Sequence, residues 1–275
     1  MSSGITRGRM CSASTCATDR TMEIAEHIEA LQREGELLAA VAEQSKPSDS
    51  IATCPSWTMR DLLLHLGGVH RWAAAHVGEA RTDVIDVAQP FDIVDTLPGD
   101  DELVTWFVDG HAALVATLQA APPDVECFTF LPAPSPLAFW ARRQAHETAV
   151  HRADVESASG TMTAYPMEFA VDGIEELLFG FASRPRRHDG TEPPRTLDIS
   201  ATDVDAQWSL SIVPKQVTVD RSAASARGGA DCRVRASASD LYLLLWNRID
   251  VHDVEAAGDT TVVDLWRTTM RVRWT

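Results

Sequence analysis

Residues 54–74 read CPSWTMRDLLLHLGGVHRWAA, and this stretch decides the first part of the fold. Thr58 follows a short turn and can cap a helix, and Asp61 three residues later completes a capping box. The apolar residues beyond it recur at helical intervals, so we expect a helix that continues to about Val77 and ends at Gly78. The stretch therefore predicts one long helix with an apolar face.

Three other segments of the N-terminal half also predict helices. Residues 22–44 and 101–121 carry apolar residues at helical intervals, and prolines end them. Residues 135–158 begin with Ser135 and Pro136, a good N-cap and first-turn pair, and Gly160 ends them. Residues 81–100 contain two prolines, a glycine and several aspartates, which indicates a long surface loop. Four helices in this order predict a four-helix bundle.

The pattern changes beyond Gly160. Residues 167–181 predict a further helix, and four short runs then alternate apolar with polar residues, as half-buried strands do. These runs are Leu197/Ile199/Ala201, Trp208/Leu210/Ile212, Val217/Val219 and Cys232/Val234/Ala236. Ser237, with Asp240 three residues on, begins one more helix. The sequence thus predicts an α+β fold.

These elements divide the chain into two predicted domains. Residues 21–159 form the helical bundle and residues 160–275 form a small α+β domain, and the chain is long enough for each to bury its own core. Residues 1–20 are expected to be a disordered tail. They contain many small polar residues and no central apolar stretch typical of a secretory signal.

The composition excludes several classes of partner and location. A formal net charge of −16 argues against nucleic acid and an anionic membrane surface, because both bind clustered Lys and Arg. No apolar run approaches the ~20 residues that a membrane-spanning helix needs. The five cysteines are odd in number and scattered, which favours a reducing cytoplasm and structural or incidental roles over a disulfide framework. We therefore expect a cytoplasmic protein.

Glu147 and His151 are the first candidates for chemistry. They lie four residues apart on the fourth predicted helix, so they project from one face about 6 Å apart and can bind one divalent cation together. The adjacent His146 suggests the zinc-protease motif H-E-x-x-H, but that motif needs histidines four apart. His146 and His151 are five apart, about 140° around the helix, so the zinc-protease interpretation fails.

His65 is a third candidate, in the middle of the second predicted helix. Apolar neighbours such as Leu62 place it on or near the face that points into the bundle, where a buried imidazole needs a partner. From the residues alone, that partner is either a metal or a hydrogen-bonding group such as Glu147 or a backbone carbonyl. Gly67 and Gly68 weaken the helix and indicate that some group approaches the backbone closely.

The remaining polar residues near these candidates are expected to leave the site open. Asp61 and His70 are assigned to other faces of the second helix. His70, His76 and His111 are assigned to surface or boundary positions. No further protein ligand from these residues is therefore expected to close the site.

Three segments carry a resemblance to a known family. The stretch 54–74, the stretch 139–156 (FWARRQAHETAVHRADVE) and the stretch 228–248 (GGADCRVRASASDLYLLLWNR), with Gly258 and Asp259, are similar to the mycothiol-dependent maleylpyruvate isomerase family. The resemblance covers nearly the whole chain after the tail and is more specific in the first two segments. It implies that the N-terminal domain is a DinB-like four-helix bundle and that the C-terminal domain is similar to sterol-carrier folds.

The resemblance also implies a metal centre. The family holds a divalent metal, usually taken to be zinc, at positions that here are His65, Glu147 and His151. Two imidazoles and one carboxylate leave a coordination position open, which is typical of catalytic zinc sites. Arg143 and Arg152 flank the pair on the fourth helix, and we expect them either to contact the ligands or to form a solvated charged face.

The function implied by the resemblance depends on a thiol. A metal that deprotonates the cosubstrate mycothiol supports a cis–trans isomerase of the maleylpyruvate isomerase type, which works by thiolate addition and elimination without a protein nucleophile. The same site supports an S-transferase that forms a C–S bond on a metabolite. A non-catalytic metal- or ligand-binding protein and zinc-assisted hydrolysis are the alternatives from other classes. The expected substrate is a small, anionic or electrophilic molecule.

Arg248 is the residue expected to bind this substrate. The family's C-terminal domain commonly has an arginine here, although Asn247 stands where a glycine is usual. An anionic substrate needs a cation in an acidic protein, so we expect Arg248 to face the cleft between the domains and to anchor a substrate carboxylate. The alternative is a structural arginine near a helix C-terminus, where the helix dipole favours positive charge.

Overall fold

The computed structural model describes residues 21–87, 90–160, 162–184, 194–213, 216–221 and 229–270. The predicted tail at residues 1–20 lies outside the described residues. The described α-helices are α1 (Ile24–Ala42), α2 (Met59–Gly78), α3 (Leu103–Ala120), α4 (Pro136–Ser159), α5 (Met167–Glu175), α6 (Ala238–Leu245) and α7 (Thr261–Thr269). The described strands are β1 (Arg195–Ala201), β2 (Gln207–Val213), β3 (Gln216–Asp220), β4 (Cys232–Ala236) and β5 (Glu255–Gly258).

The first four helices pack as a bundle, as predicted. Helices α1 and α2 each contact α3 and α4. The side chain of Thr58 caps α2 by accepting from the backbone N–H of Asp61, and Ser135 caps α4 in the same way. Gly160 ends α4 with a φ of 74°, a left-handed conformation that glycine adopts without strain. None of the described helices is both long and apolar enough to span a membrane.

Helices α2 and α3 approach closely because each presents a glycine to a large side chain of the other. A Cβ at Gly67 would overlap the Trp106 indole, and a Cβ at Gly110 would overlap the Arg71 guanidinium. These two side chains also stack, with the guanidinium carbon of Arg71 3.8 Å from the centre of the Trp106 ring. The close approach expected at Gly67 is confirmed, and the approaching group is an indole of α3.

Among the described residues, the C-terminal part contains a five-stranded mixed sheet in the order β3-β2-β1-β4-β5. β1 pairs with β4 in parallel, and the other neighbouring pairs are antiparallel. Leu197 lies beside Leu210 on one side and Cys232 on the other, so alternate apolar residues of three strands share one buried face. Helices α6 and α7 contact the sheet, and α6 also contacts α5. The whole is the α+β fold expected from the sequence.

The C-terminal part also differs from the sequence-based expectation. β5 and α7 are missing from the prediction, and β5 has the sequence EAAG, which lacks the β-branched and aromatic residues that mark strands. The helix predicted at residues 167–181 is α-helical only as far as Glu175 and continues as π-helical turns over Glu176–Ala182. The loop predicted at residues 81–100 contains a 3₁₀ turn, Pro90–Ile93.

His70, His76 and His111 are buried, so their assignment to surface or boundary positions is wrong. Helix α2 is covered on much of its circumference because α3 and α4 flank it. Each ring has a hydrogen-bond partner: His70 with the Thr148 hydroxyl at 2.9 Å, His76 with the Trp72 carbonyl at 2.8 Å and His111 with the Leu31 carbonyl at 3.0 Å. Burial lowers the pKa of all three, so they pack as neutral rings.

We expect Gly67→Ala to lower the free energy of unfolding by about 1–3 kcal/mol, because the added methyl group must displace the Trp106 indole from a packed interface. Chemical denaturation followed by circular dichroism measures the change. Gly78→Ala in the same helix is the control. Gly78 is exposed, and its Cβ would lie 3.4 Å from the Thr117 methyl, so alanine should leave stability unchanged or raise it slightly. Equal effects of the two substitutions would contradict the interlocking of α2 and α3.

Candidate metal centre

Helices α2 and α4 face each other where His65, Glu147 and His151 converge. His65 Nε2 lies 3.7 Å and His151 Nε2 lies 3.4 Å from the same oxygen, Glu147 Oε1. The three atoms all lie within 4.8 Å of one another, and the three side chains are buried. The structure therefore brings together the three residues that the sequence singles out.

Two of the converging atoms have no hydrogen bond within the described residues. These are His65 Nε2 and Glu147 Oε1, and both are buried. Buried polar atoms are nearly always paired, because an unsatisfied one costs about 1–3 kcal/mol. A divalent cation between the three atoms would satisfy both, and two imidazole nitrogens with one carboxylate oxygen form a donor set typical of zinc. The residues present fit such an ion.

Asp154 orients His151 from behind. The Nδ1 of His151 donates to Asp154 Oδ2 over 2.9 Å, which leaves Nε2 on the side of Glu147. A carboxylate behind a ligating imidazole is usual in metal centres, because it fixes the tautomer and the ring orientation. Asp154 is absent from the sequence-based candidates, although a spacing of three residues on one helix places it on the same face as His151.

Arg143 and Arg152 are buried, so the alternative of a solvated charged face is wrong. Arg143 Nη2 donates to Glu147 Oε2 over 3.1 Å, and its Nη1 pairs with Glu176 in the π-helical segment. Arg143 therefore holds the carboxylate oxygen that does not face the two imidazoles. Arg152 pairs instead with Glu34 on α1, over 2.5 Å.

These contacts control the ionisation of the site. Burial alone would raise the pKa of Glu147, but the contacts with His151 and His65 and the charge of Arg143 hold that pKa well below its ordinary value. The pKa of His151 is raised to about 9 against the effect of burial, because Asp154 and Glu147 lie on either side of its ring. Burial lowers the pKa of His65. The region between the carboxylates of Glu147 and Asp154, where His151 lies, thus favours a positive charge.

A cleft of about 330 Å³ adjoins His65. It is lined by Ser56, Trp57, Asp61, Leu64, His65 and Phe91. The centre of the Trp57 ring lies 4.9 Å from that of His65 and 6.1 Å from that of His151, so the indole covers both imidazoles. The assignment of Asp61 to another face of α2 is wrong, because four residues turn the helix by about 400° and bring Asp61 to the side of His65. The cleft therefore borders His65, whose side chain is almost fully buried.

Arg248 lies against Asp154. Its Nε donates to Oδ1 and its Nη2 to Oδ2, each over 2.8 Å, and its Nη1 donates to the carbonyl of Trp246. All three nitrogens of the guanidinium are therefore bonded within the protein, and a substrate carboxylate would have to share them. Asn247 has a φ of 65°, a left-handed conformation that asparagine tolerates better than most residues, which explains why it can stand where glycine is usual.

A second group of similar composition lies about 140° around α4 from His151. His27, His146 and Asp172 also have three ligand-type atoms within 4.8 Å of one another. Asp172 Oδ2 accepts from His27 Nε2 over 3.0 Å, from His146 Nε2 over 2.8 Å and from Arg142 Nε over 2.8 Å. The Arg142 guanidinium supplies the positive charge that a metal would supply, so this group is a closed hydrogen-bond network. No sequence motif marks it, because His27 and Asp172 are far from His146 along the chain.

Two family models together span most of the chain. One, described as the mycothiol maleylpyruvate isomerase N-terminal domain, matches residues 28–156. The other, described as the MDMPI C-terminal domain, matches residues 168–265. The chain belongs to the mycothiol-dependent maleylpyruvate isomerase family. The family model of the N-terminal domain includes His65, Glu147 and His151 in its matched range.

Two solved structures of this family have a similar fold. Both are described as crystal structures of the mycothiol-dependent maleylpyruvate isomerase, one of them of a histidine-to-alanine mutant. Each superposes with a TM-score of 0.61 over 86% of this chain and 93% of the other, at 12% and 11% sequence identity. At this identity the likeness shows the fold alone. Comparison with curated proteins finds no match.

We expect Asp172→Asn to lower the free energy of unfolding at pH 7 by about 3 kcal/mol, because it removes the charge that Arg142 and two buried imidazoles share. Hydrogen bonds from His146 and His27 hold the pKa of Asp172 well below its ordinary 3.8, against the effect of burial. A carboxylate with a depressed pKa stabilises the fold above its unfolded-state pKa and loses that effect as the pH falls toward the folded-state value.

Denaturation of wild type and Asp172→Asn between pH 7 and pH 2 measures this effect. The difference between them should be full above the unfolded-state pKa of 3.8 and should shrink at lower pH. A difference that stays constant down to pH ~2 would contradict an ionised Asp172 in the folded protein.

Proposed function

We propose that this protein is a metal-dependent enzyme that uses mycothiol, with His65, Glu147 and His151 as ligands of a divalent metal, zinc in the first instance. The observation that carries the proposal is the meeting of two buried, unpaired atoms, His65 Nε2 and Glu147 Oε1, with His151 Nε2. The cleft beside His65 supports access for a small molecule. Membership of the family supports mycothiol as the cosubstrate.

The residues around the site have separate tasks in this proposal. When bound, the ion would act as a Lewis acid and lower the pKa of a thiol from about 8.5, so that the thiolate is available at neutral pH. Asp154 keeps a proton on Nδ1 of His151, and Arg143 holds the distal oxygen of Glu147. The indole of Trp57 shields the two imidazoles from water.

The reaction we propose is cis–trans isomerisation of a double bond conjugated to a carbonyl, as in maleylpyruvate. The thiolate sulfur of mycothiol adds to one alkene carbon, and the alkene electron pair moves toward the carbonyl oxygen. The former double bond, now single, rotates. The pair then returns, the C–S bond breaks, and the trans alkene and the thiolate are released. In an S-transferase, the adduct would instead take up a proton on carbon and keep its C–S bond.

No protein nucleophile is needed for this chemistry. Among the described cysteines, Cys54 lies beside Asp154. Burial and then the charge of Asp154 raise the pKa of this thiol to about 12, so it stays protonated at neutral pH. The nucleophilic sulfur therefore belongs to the cosubstrate.

We expect the purified chain to bind zinc or cobalt(II), and we expect His65→Ala and Glu147→Gln to weaken this binding by more than ~100-fold, because each removes a ligand. Elemental analysis and cobalt titration measure the affinity. His27→Gln is the control, because it removes a buried histidine from the second group and should leave the affinity unchanged. Metal retained at the wild-type level by both ligand variants would overturn the assignment, and loss in His27→Gln alone would move the metal to the second group.

Turnover of maleylpyruvate should require both the metal and mycothiol, with all of the thiol recovered at the end. Absorbance of the substrate and mass spectrometry of the thiol pool measure these two properties. Accumulation of a thioether would identify the S-transferase. Turnover with metal and no thiol would identify a hydrolase, and tight metal binding without any turnover would favour a binding protein.

A further inference from the structure

Asp154 is buried, and both oxygens of its carboxylate are fully used. Oδ1 accepts from Thr53 Oγ1 over 2.5 Å and from Arg248 Nε over 2.8 Å. Oδ2 accepts from His151 Nδ1 over 2.9 Å and from Arg248 Nη2 over 2.8 Å. The four bonds come from three parts of the chain: the turn before α2, helix α4 itself and the segment after α6.

Each donor removes a different freedom of the carboxylate. The two parallel bonds from the Arg248 guanidinium fix its plane, as bidentate arginine–carboxylate pairs do. With Arg248 bonded to both oxygens, each oxygen can accept one further hydrogen bond. Thr53 supplies that bond to Oδ1, and His151 supplies it to Oδ2. Asp154 is therefore a rigid acceptor, and a rigid acceptor sets both the tautomer and the tilt of the imidazole that donates to it.

We propose that Asp154 is the positioning residue of the metal centre and that Arg248 acts through it, so that the C-terminal part of the chain sets the orientation of His151. This inference rests on the proposed function, because it takes His151 Nε2 as a ligand. It gives Arg248 a task other than substrate binding, in keeping with the three guanidinium nitrogens that already bond within the protein. The ligands lie on α2 and α4, yet the centre is complete only when the segment after α6 is docked.

Cobalt(II) titration of the metal-free, full-length protein tests this proposal without any substrate. We expect Asp154→Asn to weaken cobalt binding about 10–100-fold, because the amide lacks the charge and one acceptor oxygen that hold Nδ1 of His151. Arg248→Met should weaken binding in the same direction and by less. On the Asp154→Asn background, Arg248→Met should add nothing, because its effect runs through the carboxylate.

Asp172→Asn is the matched control for these titrations. Asp172 is a partly buried acceptor of histidine and arginine donors from α4, but it touches none of the proposed ligands. Its substitution should leave the cobalt affinity at the wild-type value. Equal losses in Asp172→Asn and Asp154→Asn would reveal a general effect of destabilisation and overturn the positioning role.

The failure of this inference can be distinguished from the failure of the proposed function. Wild-type cobalt binding that Asp154→Asn leaves unchanged would overturn the inference and leave the metal centre standing. A wild-type protein that binds no metal would overturn both. A rise in KM in Arg248→Lys, with kcat and cobalt affinity unchanged, would return Arg248 to the role of substrate anchor.

A measurement on the wild type decides the matter if Asp154→Asn does not fold. Nitrogen-15 NMR of histidine-labelled, zinc-loaded protein reports which ring nitrogen carries the proton and which carries the metal. We expect His151 to keep its proton on Nδ1 and to show the metal shift on Nε2. A metal shift on Nδ1 of His151 would contradict the inference, because Asp154 could not then accept from that atom.

Discussion

Helix α4 determines much of the structure because it is buried and densely charged at the same time. Residues 143–156 are buried without interruption, although they include arginines, carboxylates and histidines. A buried charge without a partner costs several kcal/mol, so the charges of this helix need groups on other elements. Glu34 on α1, Asp172 on α5 and Arg248 after α6 are such groups, with Arg152, Arg142 and Asp154 as their partners on α4. The elements around α4 are therefore placed by specific ion pairs as well as by apolar packing.

The same pairs make the candidate metal centre a property of the whole chain. The guanidinium of Arg143 joins Glu147 to Glu176 in the π-helical segment, and the rings of Phe181 and Trp246 lie 5.3 and 5.4 Å from it. The C-terminal part is thus linked to both carboxylates beside His151: to Glu147 through Arg143, and to Asp154 through Arg248. A change in how this part docks would move the groups behind the candidate ligands, even though every ligand belongs to the bundle.

Features that depend on local spacing could be predicted from the sequence. Helix ends follow from caps, and the pair Glu147–His151 follows from a four-residue interval. The convergence of His65 on that pair depends on how α2 packs against α4, so it needed the family resemblance. The pairing of Asp154 with Arg248 could not be predicted, because Arg248 is 94 residues away along the chain. The burial of Arg143 could not be predicted either, because arginine is usually exposed and becomes buried only when other elements supply its partners.

Residue types alone do not distinguish a metal centre from a hydrogen-bond network. The group around Glu147 and the group around Asp172 each contain two histidines and one carboxylate. At Asp172, one oxygen accepts three bonds of 2.8–3.0 Å, and an arginine provides one of them. At Glu147 Oε1, by contrast, His151 Nε2 lies 3.4 Å away and His65 Nε2 lies 3.7 Å away. The longer distance is beyond hydrogen-bonding range. Two ligand atoms at ~2.0–2.1 Å from one tetrahedral zinc ion lie ~3.4 Å apart, close to this spacing. The chain therefore keeps the two proposed histidine ligands at about this separation from Glu147 Oε1, whereas the neighbouring charges of α4 lie at hydrogen-bond distance from their partners.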